Sequence, residues 1–501
     1  MKTINILEFK TRNNNRYILD GITGTVLAVD DLIMDCIYEV ANDKDINEIK
    51  SSLLKKYEDK NNVNAALTFI YSFYKEKGAF FINKKNEIKK RNNSQQFDSN
   101  LIRDIFNAGH IQQLILNVTE DCNLRCKYCY LSESYDYTRN RTERKMQFAT
   151  AKTAMDKFFE RIENIKLFNP GKKCGITFYG GEPLLNFQLI YDSIEYAKKN
   201  CPVTPIFNMT TNGTLLKDEI LDYLIDNNVS ISISLDGDKE NHDRNRVFDD
   251  GNGSFHAVIT NINEINNKYP KYDKINISSV YDFKTDLKKN SLFFAENKLP
   301  HIGFINQVTS LNTDYFSSFS KDDMQNFIKA YFELMNEYID CKIKGEKLSP
   351  YLQMLSELSI FSVLFRTRVA DEKLPIMPYT SSCVPGMKIS VRVDETYDMC
   401  ERINSTFPIG DNENGCDINK IANIINEYNS FVTKDCPECP LNRQCGMCFA
   451  LCCKDGVFEK PNCHDIINAY TLNLGIAYSV LEENPNGFDE LKILDQWVFN
   501  S

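Results

Sequence analysis

The run Cys122-Asn123-Leu124-Arg125-Cys126-Lys127-Tyr128-Cys129 places three thiols in the spacing C-x₃-C-x₂-C. Thiolate is the soft ligand that iron–sulfur clusters select, and three on one short loop can wrap a cuboidal cluster while leaving its fourth iron open to another ligand. A zinc site is the competing reading, and it asks for a fourth Cys or His nearby and usually for C-x₂-C spacing. The loop follows Leu114-Ile115-Leu116-Asn117-Val118, an apolar run that reads as a buried strand.

Other stretches carry potential chemistry. In Tyr179-Gly180-Gly181-Glu182-Pro183 the glycines let backbone approach a ligand closely, and the carboxylate can accept hydrogen bonds from an ammonium group. Thr211-Asn212-Gly213-Thr214 and Ser234-Leu235-Asp236-Gly237 follow two further strand candidates, although Asn-Gly and Asp-Gly also simply make turns. A second cysteine group comprises Cys383, Cys400, Cys436-Pro437-Glu438-Cys439, Cys445-Gly446-Met447-Cys448 and Cys463. Its C-x₂-C-x₅-C-x₂-C core admits a zinc ribbon. Cys36, Cys174, Cys201 and Cys341 sit in helical or strand patterns and read as core.

A chain of 501 residues with 42% hydrophobic content can bury the cores of two to four domains. Its 17 cysteines accompany an N-terminus, Met1-Lys2-Thr3-Ile4-Asn5, with no apolar signal region, and no segment is long and apolar enough for a membrane helix. A cytoplasmic protein is expected, in which reduced thiols favour metal ligation over disulfides. The net charge of −10 argues against nucleic acid as a partner.

Residues 1–85 read as three strands (Ile4 to Lys10, Tyr17 to Asp20, Thr25 to Val29) followed by three helical periods, the order of a winged-helix module. Residues 86–110 form a linker, polar from Asn86 to Gln96. From 111 to 310, six strand candidates alternate with amphipathic helices: Ile111 to Val118, Cys174 to Tyr179, Ile206 to Thr210, Val229 to Ser234, Ile275 to Val280 and Ile302 to Gln307. The fold class is therefore α/β, a partial TIM-like (β/α)₆ barrel with its chemistry at the C-terminal strand ends. Residues 311–380 read as a helical bridge, 381–470 as a cysteine-rich domain and 471–501 as a helical tail.

C-x₃-C-x₂-C with Tyr128 before the third cysteine resembles the signature of the radical S-adenosylmethionine (SAM) enzymes. The resemblance implies that Cys122, Cys126 and Cys129 hold a four-iron four-sulfur cluster whose open iron chelates SAM. Gly180, Gly181 and Glu182 match the family's GGE motif at the methionine amine. Asn212, Ser234 and Asp236 resemble its ribose and carboxylate contacts. His242-Asp243-Arg244-Asn245-Arg246 and Gly253-Ser254-Phe255 are similar to elements of its peptide-modifying branch, where Arg246 would pair with the SAM carboxylate.

The late cysteines resemble the SPASM extension, which implies two auxiliary four-iron clusters and three clusters in all. Carried over by position, Cys383, Cys400 and Cys448 bind the inner one, and Cys436, Cys439, Cys445 and Cys463 the outer. Two departures stand out: a C-x₂-C after Cys445 in place of C-x₃-C, and Glu395 where a glycine is usual. The stretch Val384 to Ile389 lacks the cysteine that would complete the inner set, so an open iron could take a substrate thiolate, unless Cys416, Cys452 or Cys453 closes it.

The resemblance implies a maturase that installs sulfur-to-carbon thioether links in a cysteine-rich ribosomal precursor peptide. Its leader would be held as an added strand by the N-terminal module. Electrons would come from a flavodoxin- or ferredoxin-type donor. Formylglycine formation in sulfatases, epimerisation and carbon–carbon cross-linking are the enzymatic alternatives, and an iron–sulfur DNA-binding regulator is the non-enzymatic one.

Overall fold

A computed structural model describes residues 2–82, 97–107, 113–132, 134–135, 140–171, 173–308, 313–365, 384–401, 407–436, 438–441, 445, 448–454, 457–458 and 463–491. Cys383, most of the expected linker and residues 366–380 of the expected bridge lie outside them, as does the side chain of Cys453.

At the N-terminus, β1 (Thr3–Ile4), β2 (Ile6–Lys10), β3 (Arg16–Asp20) and β4 (Val26–Ala28) precede helices Asp31–Ala41, Ile46–Leu54 and Lys60–Lys77. Each helix opens on an aspartate, Asp30, Asp45 and Asp59, whose carboxylate accepts a backbone N–H of the first turn. β2, β3 and β4 form an antiparallel sheet, and β5 (Phe81–Ile82) pairs with β1, returning the chain to its start. Successive strand residues face opposite ways, so this sheet has two apolar faces. Ile18 packs with Ile37, Ile49 and Ile70, whereas Leu19 and Phe9 belong to the main core. Phe9 meets Tyr478 edge-on, with ring centres 5.4 Å apart. Gly475 permits that approach, since a Cβ there would lie 2.6 Å from the carbonyl of Lys10. Helix His464–Glu483 thus covers β2 and runs unbroken through the expected division at 470/471.

The centre is a parallel array in sequence order: β6 (Gln113–Thr119), β7 (Cys174–Gly180), β8 (Pro205–Thr211), β9 (Ser230–Ser234), β10 (Ile275–Tyr281) and β11 (His301–Gln307). Helices Phe148–Lys166, Phe187–Asn200, Asp218–Asp226, Phe255–Lys268 and Leu287–Glu296 make the crossovers. β6, buried along nearly its whole length, reads as an apolar run, whereas the edge strand β11 is largely exposed. Helices Lys321–Lys344 and Pro350–Leu364 follow.

The cysteine-rich part contributes strands of its own. β12 (Lys388–Val391) pairs in parallel with β6, and β13 (Thr396–Asp398), β14 (Pro408–Asp411) and β15 (Gly415–Cys416) extend the same sheet antiparallel to ten strands. Asn117 ties the seam, its amide donating to Ser390 Oγ at 2.8 Å and to the Val391 carbonyl at 3.0 Å. The turn between β12 and β13 places Glu395 at φ +72°, a left-handed conformation that favours glycine. Its carboxylate accepts from Thr150 Oγ1 at 3.0 Å.

Candidate active site

The three thiols leave the C-terminal end of β6 on a loop fixed by its backbone. Arg125 N–H donates to the Val247 carbonyl at 2.7 Å and Lys127 N–H to that of Asn245 at 3.1 Å, which straps the loop to the segment after helix Lys239–Asn245. Cys129 N–H closes a turn on the Cys126 carbonyl at 3.1 Å. N–H groups also meet sulfur: Leu124 donates to Cys122 Sγ and Leu131 to Cys129 Sγ, each at 3.4 Å, while Arg246 Nη1 lies 3.9 Å from Cys126 Sγ. Burial pushes the Cys122 and Cys126 thiols up to about 12, and the Arg246 cation pulls Cys126 the other way.

The Gly180-Gly181-Glu182 turn is stitched to the entry of that loop. Gly181 N–H donates to the Thr119 carbonyl at 2.9 Å and Glu182 N–H to that of Asp121 at 2.8 Å. Cβ atoms at Gly180 and Gly181 would fall 2.2 Å from Thr119 O and 2.1 Å from Asp121 O. Both glycines are therefore required by backbone-to-backbone contact. Glu182 is fully buried and accepts from Asn212 N–H and Thr211 Oγ1 at 2.7 Å and from Leu184 N–H at 3.1 Å. Burial raises its carboxyl to about 7. Asn212 caps its own turn by accepting from Thr214 N–H and Oγ1, and its amide donates to Asn123 Oδ1 at 2.9 Å inside the cysteine loop.

A second knot lies beyond β9, which Ser234 ends opposite Ser278. Asp236 accepts from the Tyr128 hydroxyl, from Arg246 Nε at 3.0 Å and from Val280 N–H at 3.0 Å. The Arg246 guanidinium lies 5.4 Å over the Tyr128 ring. His242 supports Arg246: Asp236 N–H points at Nδ1 (3.3 Å), so Nε2 carries the proton toward Ser254 Oγ at 2.9 Å, and that hydroxyl donates to the Arg246 carbonyl at 2.9 Å. Burial lowers His242 to about 3, which keeps it neutral. Tyr128, Gly180, Gly181, Glu182, Asn212, Ser234 and Asp236 thus follow the ends of β6 to β9, and Arg246 joins them from the end of helix Lys239–Asn245.

Sequence reading missed a third knot. Asp282, directly after β10, takes both terminal nitrogens of Arg244 at 2.7 and 2.8 Å, Asn245 Nδ2 at 3.1 Å and the Tyr315 hydroxyl at 2.6 Å. It anchors the strap whose carbonyls hold the cysteine loop. The available signal was its place at a strand's C-terminal end.

The late cysteines divide. Cys439 N–H bonds the Cys436 carbonyl at 3.1 Å, the same turn as Cys126–Cys129. Cys452 is buried and pushed up to about 12 by burial, then by its neighbours Cys445, Cys436, Cys448 and Cys463. Cys400 points its thiol at Glu401, 3.2 Å away. Cys416 stands apart, beside Arg161 and Lys157. Cys36 and Cys174 are buried, and Cys201 and Cys341 half-buried.

Among the described residues no three His, Cys, Asp or Glu side chains close on a single metal-ion position. The cysteine loop fits a cluster by its donor set: three thiols on one loop, each met by an N–H or guanidinium donor of the kind that sets cluster properties.

Residues 116–280 match the model of the radical SAM superfamily. The chain carries a radical SAM domain. It is 25% identical to the radical SAM cyclopropyl synthase TigE of Paramaledivibacter caminithermalis, over 65% of this chain and 66% of that protein. It is 28% identical to a cysteine-type anaerobic sulfatase-maturating enzyme of Clostridium novyi, over 46% and 61%. The matches span less than two thirds of those relatives' own length. AdoMet-bound anSMEcpe shares the radical SAM fold at a TM-score of 0.54 and 19% identity, over 77% of this chain and 99% of that one. A radical SAM domain works with SAM and a four-iron four-sulfur cluster.

Proposed function

We propose that this radical SAM protein is a maturase of a cysteine-rich ribosomal precursor peptide, joining a cysteine sulfur to an unactivated carbon as a thioether. The observation that carries the reading is the second gathering of thiols, Cys436, Cys445, Cys448, Cys452 and Cys463, in a chain whose radical SAM loop already has its own three. Similarity to an enzyme named for maturing a sulfatase, itself a protein, supports a polypeptide substrate.

In this reading Cys122, Cys126 and Cys129 hold the catalytic cluster, and Tyr128, Gly180, Gly181, Glu182, Asn212, Ser234, Asp236 and Arg246 hold SAM. When bound, SAM and its cluster supply hydrogen-atom abstraction from the peptide. Arg246 brings a cation to the sulfur of Cys126 while Asp236 and His242 fix its direction. Cys383, Cys400 and Cys448 serve one auxiliary cluster and Cys436, Cys439, Cys445 and Cys463 another, with Cys452 as a further thiol among them. β4 is the edge assigned to the leader, because helix His464–Glu483 covers β2. The electron donor is of flavodoxin or ferredoxin type. No described helix is long and apolar enough to cross a membrane, and we place the enzyme in the cytoplasm.

Likeness to a cyclopropyl synthase favours a second reading, carbon–carbon bond formation. Forming a C–S bond from C–H and S–H removes two hydrogens and one alkylatable thiol, whereas ring closure between carbons removes two hydrogens and no thiol. Mass spectrometry of a cysteine-rich precursor peptide, alkylated after anaerobic reaction with the protein, tests the proposal. A product that keeps every thiol refutes the thioether.

A further inference from the structure

A cavity of about 200 Å³ lies between helix Phe148–Lys166 and strands β12 to β15, at the end of β6 away from the cysteine loop. Lys157, Arg161 and Asn164 face it at positions i, i+4 and i+7 of one helix face. Arg161 is tethered, its guanidinium lying 5.6 Å from the centre of the Phe106 ring, and its Nη1 is buried with no hydrogen-bond partner. Lys157 Nζ is met by the Glu413 carbonyl at 3.0 Å. The acid that lines the cavity, Glu160, is exposed to solvent. Opposite stands the thiol of Cys416, which takes a hydrogen bond from the Arg161 guanidinium and feels the charge of both cations, so that Nη1 is the part of Arg161 left unbonded.

This arrangement is unusual for a chain of net charge −10. Two cations four residues apart repel each other, and a buried guanidinium nitrogen left unbonded is costly. An anion between them removes both penalties, because its oxygens accept charge-assisted hydrogen bonds in the fork geometry arginine presents. The space is small for a typical organic ligand and ample for an oxyanion with a few waters.

We propose that this cavity binds a small oxyanion, of the size and charge of inorganic phosphate or sulfate, between Arg161 and Lys157. Bound there, it links the first helix after the cysteine loop to the C-terminal strands of the sheet. The site lies apart from the radical chemistry and holds or fails independently of it.

Equilibrium binding of radiolabelled inorganic phosphate to the full chain, with SAM in excess to occupy groups near Arg246, tests the site. The expected result is one phosphate per chain, displaced by sulfate, with affinity lowered at least about tenfold in Arg161→Gln and severalfold in Lys157→Gln. Lys152→Gln, on the same helix and already paired with Asp156, leaves binding unchanged. Should Arg161→Gln fail to fold, Lys157→Gln decides alone. No binding at millimolar phosphate, displacement by succinate but not by sulfate, or binding unaltered in Lys157→Gln would overturn the proposal.

Discussion

Replacing Gly181 by alanine tests how the cysteine loop is positioned. The new Cβ would sit 2.1 Å from the carbonyl oxygen of Asp121, where ordinary contact begins near 3.4 Å, so the Thr119 to Asp121 backbone must retreat by roughly 1.3 Å. That backbone leads directly into Cys122. Retreat also lengthens two hydrogen bonds, Gly181 N–H to Thr119 O at 2.9 Å and Glu182 N–H to Asp121 O at 2.8 Å. Overpacking of a tight site costs about 1–3 kcal/mol, and each bond contributes roughly 0.5–1.5, so a local destabilisation of about 3 kcal/mol is expected. The control is Gly251→Ala, at φ +84° with open space around it, which should cost only about 1 kcal/mol of backbone strain. Urea midpoints of the two variants and their iron content after anaerobic reconstitution are the measurements. Gly181→Ala should lose about four irons per chain, one cluster's worth, while the C-terminal iron remains. Equal midpoints and equal iron in the two variants would refute the reasoning.

Asp236→Asn leaves Arg246 as an uncompensated buried charge and should cost about 3–5 kcal/mol, against less than about 1 for Asp156→Asn at the exposed pair with Lys152; denaturant midpoints compare them. His242, held near 3 against its ordinary 6.5, makes the unfolded chain the better proton acceptor, so its contribution is fully present above pH 6.5 and falls on acidification by at most about 1.4 kcal/mol per pH unit. Glu182, raised from 4.5 to about 7, acts oppositely, its contribution being lost as pH rises through that window. The difference between wild type and His242→Gln in urea midpoints from pH 5 to 7 isolates the histidine, and parallel curves would remove its neutral role. Hydrogen bonds from Asp20 N–H to Thr25 O and from Val29 N–H to Arg16 O turn alternate β4 amides toward β3, which leaves that of Ala28 outward. Ala28→Pro should therefore weaken leader-peptide binding, read by fluorescence anisotropy, without changing SAM affinity.

The parallel strands and their C-terminal motifs were legible because both signals are local: apolar runs bounded by turns, and glycines or cysteines just beyond them. What the sequence hid was distant pairing. β12 is four residues long and pairs with β6 from far along the chain, so no window of sequence holds both. The two-faced N-terminal sheet was hidden likewise, since Leu19 and Ile18 differ only in the partners they meet. That packing ties the module to the rest of the chain, because Phe9 and Leu19 belong to the main core. Glu395 was noticed as a departure from glycine, and its φ of +72° shows why glycine suits the turn. Asp282 carried no motif, and only the fold reveals that it holds the strap under the cysteine loop.

The most direct test is SAM cleavage by the anaerobically reconstituted protein with and without Cys126. Under strong reductant the wild type should form 5′-deoxyadenosine, and Cys126→Ala should form none while keeping the iron bound by cysteines after residue 380. Near wild-type 5′-deoxyadenosine from Cys126→Ala would contradict the assignment of the Cys122, Cys126 and Cys129 loop as the radical SAM centre.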